Sequence, residues 1–466
     1  YRLTITEAET LRVADLIDAK FAGLGFSVMQ LDLGWNHGDL PGDWFATNDR
    51  FPRPLKQLAR DLKQRGFRLG VWLCPFLVAA ESRFAREHPE ALIRNADGSP
   101  YDMGQWYWEP KCPLFMVDPT HPLGAQFLKR TVRHLKAQGV DYFKCDFTNR
   151  LALTDEDFVI HDGRRVKGAE VYRLGLQCLW EELDARDYLY WCSNLLQLGL
   201  GLGQTSMTAC DIGNTGFAQA RQIEGRTEGL DYFKQQFVTI MSRWYLHRRL
   251  VLLNPDSLNV APPADEEEAR LRAMLVALSG GQMFLGDRFD LAGEEFHEII
   301  RQVTPPWGIA AKPVDWCEHV YPDAPRIFHL PVASRWDRRD LVGMVSWKDD
   351  KSQGVSLSRL GLAAVPYHAW EFWEQRYWGR IRNTLTVDVP PGCGRLVMLV
   401  PERSHPWVLA TTTHFTCGGS DLARVCWDRR RRMLSGVLVR PTGSKARIIL
   451  TVPAGFRCEL PAVAEG

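Results

Sequence analysis

The sequence predicts an α/β protein: a (β/α)8 barrel over residues 1–305, followed by an antiparallel β-sandwich over residues 306–466. Three observations predict this architecture. Short apolar strands alternate with amphipathic helices up to about residue 300, which is typical of parallel strands joined by crossovers. Several of these strands end in acidic residues. After Pro305-Pro306, short β runs broken by turn residues replace the helical periodicity.

The first region contains signals for individual elements. Thr6 and Glu9 form a capping-box pattern before the first helix, and a second amphipathic helix begins near Leu55 and ends at Gly66. A closed barrel needs eight strands and the sequence contains seven candidates, so we expect the first barrel strand to lie upstream of Tyr1. The seven predicted strands are Val28–Leu33, Arg68–Leu73, Tyr142–Phe147, Tyr188–Cys192, Thr208–Ile212, Ser257–Ala261 and Gln282–Leu285.

Later elements follow the same logic. A helix from about Leu123 ends at Gly139, and another begins with the acidic run Asp265–Glu268, which suits the positive end of a helix dipole. Helical periodicity then gives way to β runs separated by turns, which indicate the antiparallel sandwich. The clearest of these runs are Leu341–Trp347, Leu396–Val400 and Arg447–Val452.

Composition excludes several classes of function. The chain has 466 residues, with 57 Lys and Arg against 56 Asp and Glu, so the net charge is +1. That balance provides no field to recruit nucleic acid or anionic lipid. No apolar run reaches the ~18 residues that span a bilayer, so we expect neither a nucleic-acid nor a membrane partner. The 11 cysteines form no CxxC pair or metal-ligand spacing, which favours a cytoplasmic protein with reduced thiols and no bound metal.

Two acidic strand ends carry the predicted chemistry. Asp146 ends the run Val140–Phe147, and Asp211 follows a Gly-rich loop further along the chain. The carboxyl ends of barrel strands meet at one mouth, and retaining glycosidases need two carboxyl groups about 5–5.5 Å apart. One attacks the sugar, and the other protonates the leaving oxygen and then deprotonates water. We therefore predict Asp146 as the nucleophile and Asp211 as the general acid/base.

Lys144 is predicted to assist Asp146. Residues two apart along a strand share a face, so the Lys144 ammonium would project beside the Asp146 carboxylate. A nearby ammonium favours the ionised carboxylate that a nucleophile requires. A K-x-D pattern by itself is more often a structural ion pair at a barrel rim. The second acid, Asp211, shifts the interpretation toward catalysis.

Other strand ends offer groups suited to a neutral sugar. Asp32 would accept hydrogen bonds from sugar hydroxyls, and Ser193 supplies a hydroxyl of its own. Trp35 and Trp72 would provide flat indole faces for stacking. These acceptors lack a cationic clamp, so they favour a neutral polyol over a phosphate ester. The expected ligand is therefore an oligosaccharide or another glycoside.

These residues resemble the α-galactosidases of glycoside hydrolase family 36, which share a clan with the family 27 melibiases. The resemblance implies a retaining α-galactosidase with a (β/α)8 barrel and a C-terminal β domain. It also implies no cofactor, often an N-terminal β-sandwich, and possible homo-oligomers. The segments that carry it are Asp32 to Trp44, Arg50-Phe51-Pro52, Lys144-Cys145-Asp146, Cys210 to Asn214 and Asn254 to Leu258.

The sequence departs from the family pattern in three places. Leu33 replaces the second acid of the usual Asp-Asp-Gly-Trp segment, and Met207 stands where an arginine often contacts the sugar near O2. Asn194 and Leu195 replace the glycines of a Cys-Ser-Gly-Gly loop, so only the first half of that loop supports Ser193.

The departure at Leu33 bears on the sugar. Leucine accepts no hydrogen bond, and an unpaired buried hydroxyl costs ~1–3 kcal/mol, so galactose would bind poorly unless Asp43 or His37 compensates. A sugar without the exocyclic hydroxymethyl group, such as β-L-arabinopyranose, would fit an apolar Leu33. Besides a β-L-arabinopyranosidase, a transglycosylase of raffinose-synthase type and a non-catalytic carbohydrate-binding relative stay open. Both catalytic carboxylates and Lys144 favour catalysis over the last of these.

Overall fold

The computed structural model describes residues 4–153, 158–213, 216–219, 221–223, 225–286, 288–320, 323–348, 352–441 and 444–459. They fall into two compact units. The first unit comprises Tyr1–Ala22, Phe26–Cys210 and Arg248–Asn254. The second unit comprises Gly23–Gly25, Asp211–His247 and Pro255–Gly466.

The first unit is built on a six-stranded parallel sheet. Neighbouring strands in this sheet follow one another in chain order, and every pairing is parallel. Such sequential order is that of a barrel wall, whereas a doubly wound sheet reverses direction partway. The sheet therefore agrees with the predicted α/β class. Its strands are β1 (Val28–Leu31), β2 (Arg68–Leu73), β3 (Val140–Cys145), β4 (Tyr188–Trp191), β5 (Thr205–Met207) and β6 (Leu252–Asn254).

The first four predicted strands coincide with β1 to β4, but the fifth and sixth predictions were wrong. The apolar stretches 208–212 and 257–261 follow strands β5 and β6 instead of forming them. The reason is visible in β5, where Thr205 and Ser206 are fully buried polar residues that a search for apolar runs passes over. One residue from each of the last two predicted strands, Ser257 and Phe284, pairs in an isolated parallel bridge.

Helices and short hairpins connect the strands of the first unit. The predicted helix start is confirmed, because Thr6 Oγ1 accepts a hydrogen bond from the Glu9 backbone at 3.1 Å. The helices are Glu7–Phe21, Leu55–Gln64, Arg83–Glu87, Pro122–Ala137, Ala169–Trp180 and Leu196–Gly199. Two short antiparallel pairs join Leu77–Ala79 to Leu114–Met116 and Arg94–Asn95 to Phe158–Val159.

In its described residues, the second unit combines three α-helices with antiparallel sheets. The helices are Leu230–Met241, Glu266–Ser279 and Glu294–Val303, and Asp265 caps the second of them by accepting from the Glu268 backbone at 2.9 Å. The main sheet has six strands, in the spatial order Lys312–Pro313, Ile327–Ala333, Arg338–Val345, Gly394–Pro401, Tyr367–Glu371 and Arg376–Ile381.

Four strand pairs complete the second unit. They join Arg221–Ile223 to Arg226–Glu228, Ser352–Ser356 to Thr384–Asp388, Trp407–Thr411 to Ile448–Thr451, and Leu422–Asp428 to Met433–Leu438. One buried cluster contains Val342 and Leu399 from the main sheet together with Val355 and Leu385 from the second pair. Residues of two antiparallel sheets therefore share one buried core.

No helix among the described ranges has both the length and the apolarity needed to cross a bilayer.

Glu371 is a fully buried acid at the end of a strand of the main sheet. Its carboxyl accepts hydrogen bonds from the backbone N–H groups of Glu374, at 2.5 Å, and Leu396, at 3.1 Å. Burial raises the pKa of Glu371 to about 7, although both hydrogen bonds oppose this shift. At acidic pH the folded protein therefore retains a proton that the unfolded chain releases.

We expect the free energy of unfolding to decrease as the pH rises from about 4.5 to about 7, by on the order of 3 kcal/mol in total. The sign follows because, in this window, the folded state binds the proton and the unfolded state does not. Denaturant titrations across the window measure the decrease. A Glu371→Gln variant has no titrating proton at this position and should lose this component. The same pH dependence in variant and wild type would contradict the assignment.

Candidate active site

The Asp146 carboxylate lies directly after β3 and accepts hydrogen bonds from three donors. Trp72 Nε1 donates to Oδ2 at 3.1 Å, and Ser193 Oγ donates to Oδ1 at 3.2 Å. The backbone N–H of Phe147 donates to Oδ1 at 2.7 Å. Trp72 belongs to β2 and Ser193 follows β4, so three adjacent strands converge on one carboxylate. Donors at both oxygens hold the group in a fixed orientation.

The backbone turns sharply at two of these strand ends. Phe147 has φ 51° and Ser193 has φ 52°, both in the left-handed region that non-glycine residues rarely occupy. Each such residue costs on the order of 1–3 kcal/mol and persists only where its surroundings enforce it. At Phe147, the backbone N–H bonds the Asp146 carboxylate. The strained positions therefore lie where the site needs a donor or a hydroxyl.

Asp32, which follows β1, forms an ion pair with Lys144. Lys144 Nζ donates to Asp32 Oδ2 at 2.8 Å, Gln30 Nε2 to the same oxygen at 3.0 Å, and the Leu33 backbone to Oδ1 at 3.0 Å. Burial alone would raise the pKa of Asp32, but the Lys144 ammonium and these hydrogen bonds outweigh burial, so the pKa lies below its ordinary value. An effect of Lys144 on Asp146 stays a prediction.

Lys144 also belongs to a polar chain that crosses the sheet. Its ammonium lies 6.0 Å from the centroid of the Tyr190 ring, and the Tyr190 hydroxyl donates to Asn254 Oδ1 at 3.0 Å. Tyr190 and Asn254 are buried, in β4 and β6. This series of polar contacts therefore connects the end of β1 to the end of β6 and holds the Lys144 ammonium between them.

The two predicted stacking tryptophans are buried. Trp35 is 1% exposed and Trp72 is 2% exposed. Trp35 Nε1 donates to the backbone oxygen of Trp72 at 2.9 Å, and the Trp44 ring lies 6.1 Å from Trp35 and 6.2 Å from Trp72. In this structure the Trp72 indole is the donor to Asp146, and the Trp35 indole binds the Trp72 backbone. Their contact with a sugar stays a prediction.

Asp211 belongs to the second unit and is 58% exposed. Arg226 Nη2 lies 3.5 Å from Asp211 Oδ2, and the Tyr232 hydroxyl donates to the Asp211 backbone oxygen at 2.7 Å. Arg226 is held in turn by Glu228, a buried acid, through a hydrogen bond of 3.1 Å. The pairing of Asp211 with Asp146 stays a prediction.

Sequence analysis missed Arg226 and Tyr232. Arg226 lies in a two-stranded pair, Arg221–Ile223 with Arg226–Glu228, next to Gly225 at φ 79°. The spacing of Arg226 and Glu228 was the available signal, because residues two apart on a strand share a face. The contact with Asp211, which is distant in sequence, has no local signal.

The structure therefore gathers most of the predicted site in the first unit. Asp32 and Asp146 follow β1 and β3, the two strands on either side of β2, with a hydrogen-bonded group around them. The gathered residues are Asp32, Trp35, Trp72, Lys144, Asp146 and Ser193. Across the described part of the chain, no group of three or more His, Cys, Asp or Glu side chains is arranged to hold a metal ion.

We expect the pKa of Asp32 to lie below its ordinary value in the wild type and to be higher in Lys144→Met than in the wild type. The variant removes the ammonium whose charge and hydrogen bond lower this pKa. The carboxyl carbon-13 shift of Asp32, assigned by difference against Asp32→Asn and followed with pH, measures it. Lys129→Met, which removes an ammonium paired with the exposed Glu181, should change nothing. An Asp32 pKa that stays low in Lys144→Met would reject this account.

Comparisons with known sequences agree with this geometry. Residues 7–191 match the family model described as Melibiase. The α-galactosidase Mel36A of Lactobacillus acidophilus is 23% identical over 60% of this chain and 36% of its own length. The α-galactosidase 1 of Pediococcus pentosaceus is 27% identical over 28% and 17%. An α-xylosidase of Emericella nidulans is 30% identical over 31% and 18%. The chain thus spans 36% or less of the length of these relatives.

The structure also resembles solved structures of known proteins. TtGalA, an α-galactosidase from Thermus thermophilus in complex with p-nitrophenyl α-D-galactopyranoside, is 28% identical, with a TM-score of 0.51 over 63% of this chain and 57% of that chain. A β-L-arabinopyranosidase from Geobacillus stearothermophilus, 13% identical, has a TM-score of 0.65 over 86% and 95%, which is a likeness of fold alone. Together with the match over residues 7–191, these likenesses confirm the resemblance drawn from the sequence: the chain carries a domain of the melibiase family.

Proposed function

We propose that this protein is a retaining glycoside hydrolase of α-galactosidase type, which cleaves terminal α-galactosides or glycosides of a related sugar. The observation that carries the proposal is the Asp146 carboxylate at a parallel strand end, with Trp72, Ser193 and Phe147 donating to its two oxygens. A fixed anion of this kind is what a glycosidase nucleophile requires. The relatives named α-galactosidase support the choice of sugar.

In the proposed mechanism, Asp146 attacks the anomeric carbon and forms a covalent glycosyl-enzyme. Asp211 donates a proton to the leaving glycosidic oxygen and then takes one from the attacking water. Phe147 and Ser193 donate hydrogen bonds to Oδ1 of Asp146, and Trp72 donates one to Oδ2 at 3.1 Å.

Asp32, the two tryptophans and Arg226 also have roles in this proposal. Asp32 is partly exposed, at 43%, and ionised beside Lys144, so it accepts a hydrogen bond from a sugar hydroxyl. In this proposal Trp72 acts chiefly as a hydrogen-bond donor to Asp146, and Trp35 holds Trp72 in place. Met207 is a buried apolar side chain and cannot act as a cationic neighbour of the acid/base Asp211. Arg226 takes that role in this proposal.

The proposal extends to the surroundings of the site. Residues 1–305 belong to a (β/α)8 barrel, and residues 306–466 form the β-sandwich domain. Six sequential parallel strands support the barrel, and a buried cluster shared by two antiparallel sheets supports the sandwich. Buried thiols such as Cys74, Cys178 and Cys417 support a cytoplasmic location. Assembly into a homo-oligomer belongs to the same proposal.

A panel of aryl α- and β-glycosides tests the proposed reaction. We expect the wild type to cleave one α-linked sugar, or its β-L-arabino counterpart. Asp146→Ala should lower kcat by about a thousandfold or more, because the nucleophile is gone. Asp211→Ala should lower it by about 10²–10⁴-fold, least for the best leaving groups. Released aryl alcohol, followed by absorbance, measures both.

Chemical rescue separates the two acids. Azide should restore Asp146→Ala and yield a β-configured glycosyl azide from an α-glycoside, because it attacks from the side that the carboxylate vacated. Asp15→Ala removes an exposed carboxylate and serves as the control with wild-type rates. Activity retained in Asp146→Ala without azide would reject the assignment. A folded wild type inactive on every glycoside would favour the carbohydrate-binding alternative.

Leu33 favours β-L-arabinopyranosides as a second candidate substrate. Its side chain is 5% exposed and directly follows Asp32 in the chain, and this candidate places the apolar group beside the hydroxyl acceptor. We expect matched aryl substrates to give a higher kcat/KM for the arabinopyranoside than for the galactoside. Leu33→Asp should shift the ratio toward the galactoside, by about tenfold if one hydroxyl bond is gained. A wild type clearly faster on the galactoside would exclude this candidate. The melting temperature of the variant checks its folding.

A further inference from the structure

Three aromatic rings form a cluster at the edge of the proposed nucleophile. Phe147 follows Asp146 in the chain, and the Tyr107 ring is stacked on it, with centroids 5.8 Å apart and ring planes at 16°. The Trp108 ring lies 6.3 Å from Phe147 and 5.8 Å from Tyr107, both edge-on. Tyr107 is 51% exposed, and Trp108 and Phe147 are partly buried. Apolar ring surface is therefore accessible next to Asp146.

The cluster is held in place by contacts of its own. Arg150 Nη2 donates to the Tyr107 hydroxyl at 2.7 Å, and Lys111 Nζ donates to the Tyr107 backbone oxygen. The Trp106 backbone donates to Cys112 at 2.9 Å, which closes the loop that carries Tyr107 and Trp108. A ring fixed in this way loses little conformational entropy when a ligand binds to it.

A buried donor beneath the cluster points to a ligand. The Trp106 ring lies 5.9 Å from Phe147 and 4.9 Å from Trp108, and its side chain is 1% exposed. Within the described residues, its Nε1–H has no hydrogen-bond acceptor. Leaving such a donor without a partner costs ~1–3 kcal/mol, so an acceptor from outside the chain would be favoured there.

We propose that Tyr107, Trp108 and Phe147 form an aromatic platform that binds the leaving-group side of the substrate, a second neutral pyranose ring of an oligosaccharide. The flat C–H face of a pyranose packs on an aromatic ring, and a hydroxyl oxygen of the same sugar accepts the Trp106 N–H. Phe147 is adjacent to Asp146 in the chain, so the platform lies at the edge of the proposed nucleophile. This inference rests on the proposed function and specifies its substrate as an oligosaccharide.

Two substrates that differ in the leaving group isolate the platform. The glycosyl fluoride of the sugar selected by the aryl panel has no second ring, and the matching disaccharide does. We expect Tyr107→Ala and Trp108→Ala each to lower kcat/KM for the disaccharide by about tenfold, mainly through KM, with unchanged kcat/KM for the fluoride. Tyr107→Phe keeps the ring and should stay near wild type.

Tyr245→Ala is the matched control, because Tyr245 is also 51% exposed and lies in the second unit. It should leave both substrates unchanged, and melting temperatures check folding of every variant. Equal losses on both substrates, or no loss on the disaccharide, would overturn the platform while fluoride hydrolysis upholds the proposed function. A wild type that fails to hydrolyse the fluoride would overturn the proposed function itself, and the platform with it.

Discussion

The hydrogen bond from the Trp72 indole to the Asp146 carboxylate is the interaction on which the rest of the site depends. Trp72 pairs with Lys144 in the register of β2 and β3, and the Asp146 backbone N–H bonds Leu73 at 2.8 Å. The indole of one strand therefore reaches the acid that follows the next. Its ring is packed against Trp44, Trp106 and Phe147, so the donor cannot swing away. Rigid support of this kind is what positions a reacting group.

Electrostatics around the site depends on one ammonium. The Lys144 ammonium pairs with Asp32 and lies 6.0 Å from the centroid of the Tyr190 ring. Tyr190 in turn donates a hydrogen bond to Asn254. Without that charge the pKa of Asp32 would rise, because the ammonium and its hydrogen bond lower it. The ion pair is thus better understood as a means of keeping an acceptor for sugar hydroxyls than as a contribution to stability.

The two proposed catalytic acids differ in their support. The family match ends at residue 191, so it includes Asp146 and the strands that hold it. Asp211 and Arg226 lie beyond that match, in the second unit, and their assignment rests on the sequence pattern and on a local ion pair. The loop with Tyr107 and Trp108 lies inside the match, and the stacking of Tyr107 on Phe147 ties that loop to the proposed nucleophile.

The sequence by itself determined the elements whose signals are local. Apolar runs located β1 to β4, side-chain oxygens marked the starts of two helices, and Asp146 was identified as the acid at a strand end. Only the tertiary structure decided which partners those residues take. A period of two puts Lys144 and Asp146 on one face, but sheet register also brings Asp32 to that ammonium, and the ion pair forms there. Likewise, burial of Trp35 and the approach of Arg226 to Asp211 depend on contacts between residues distant in the chain, which no local pattern encodes.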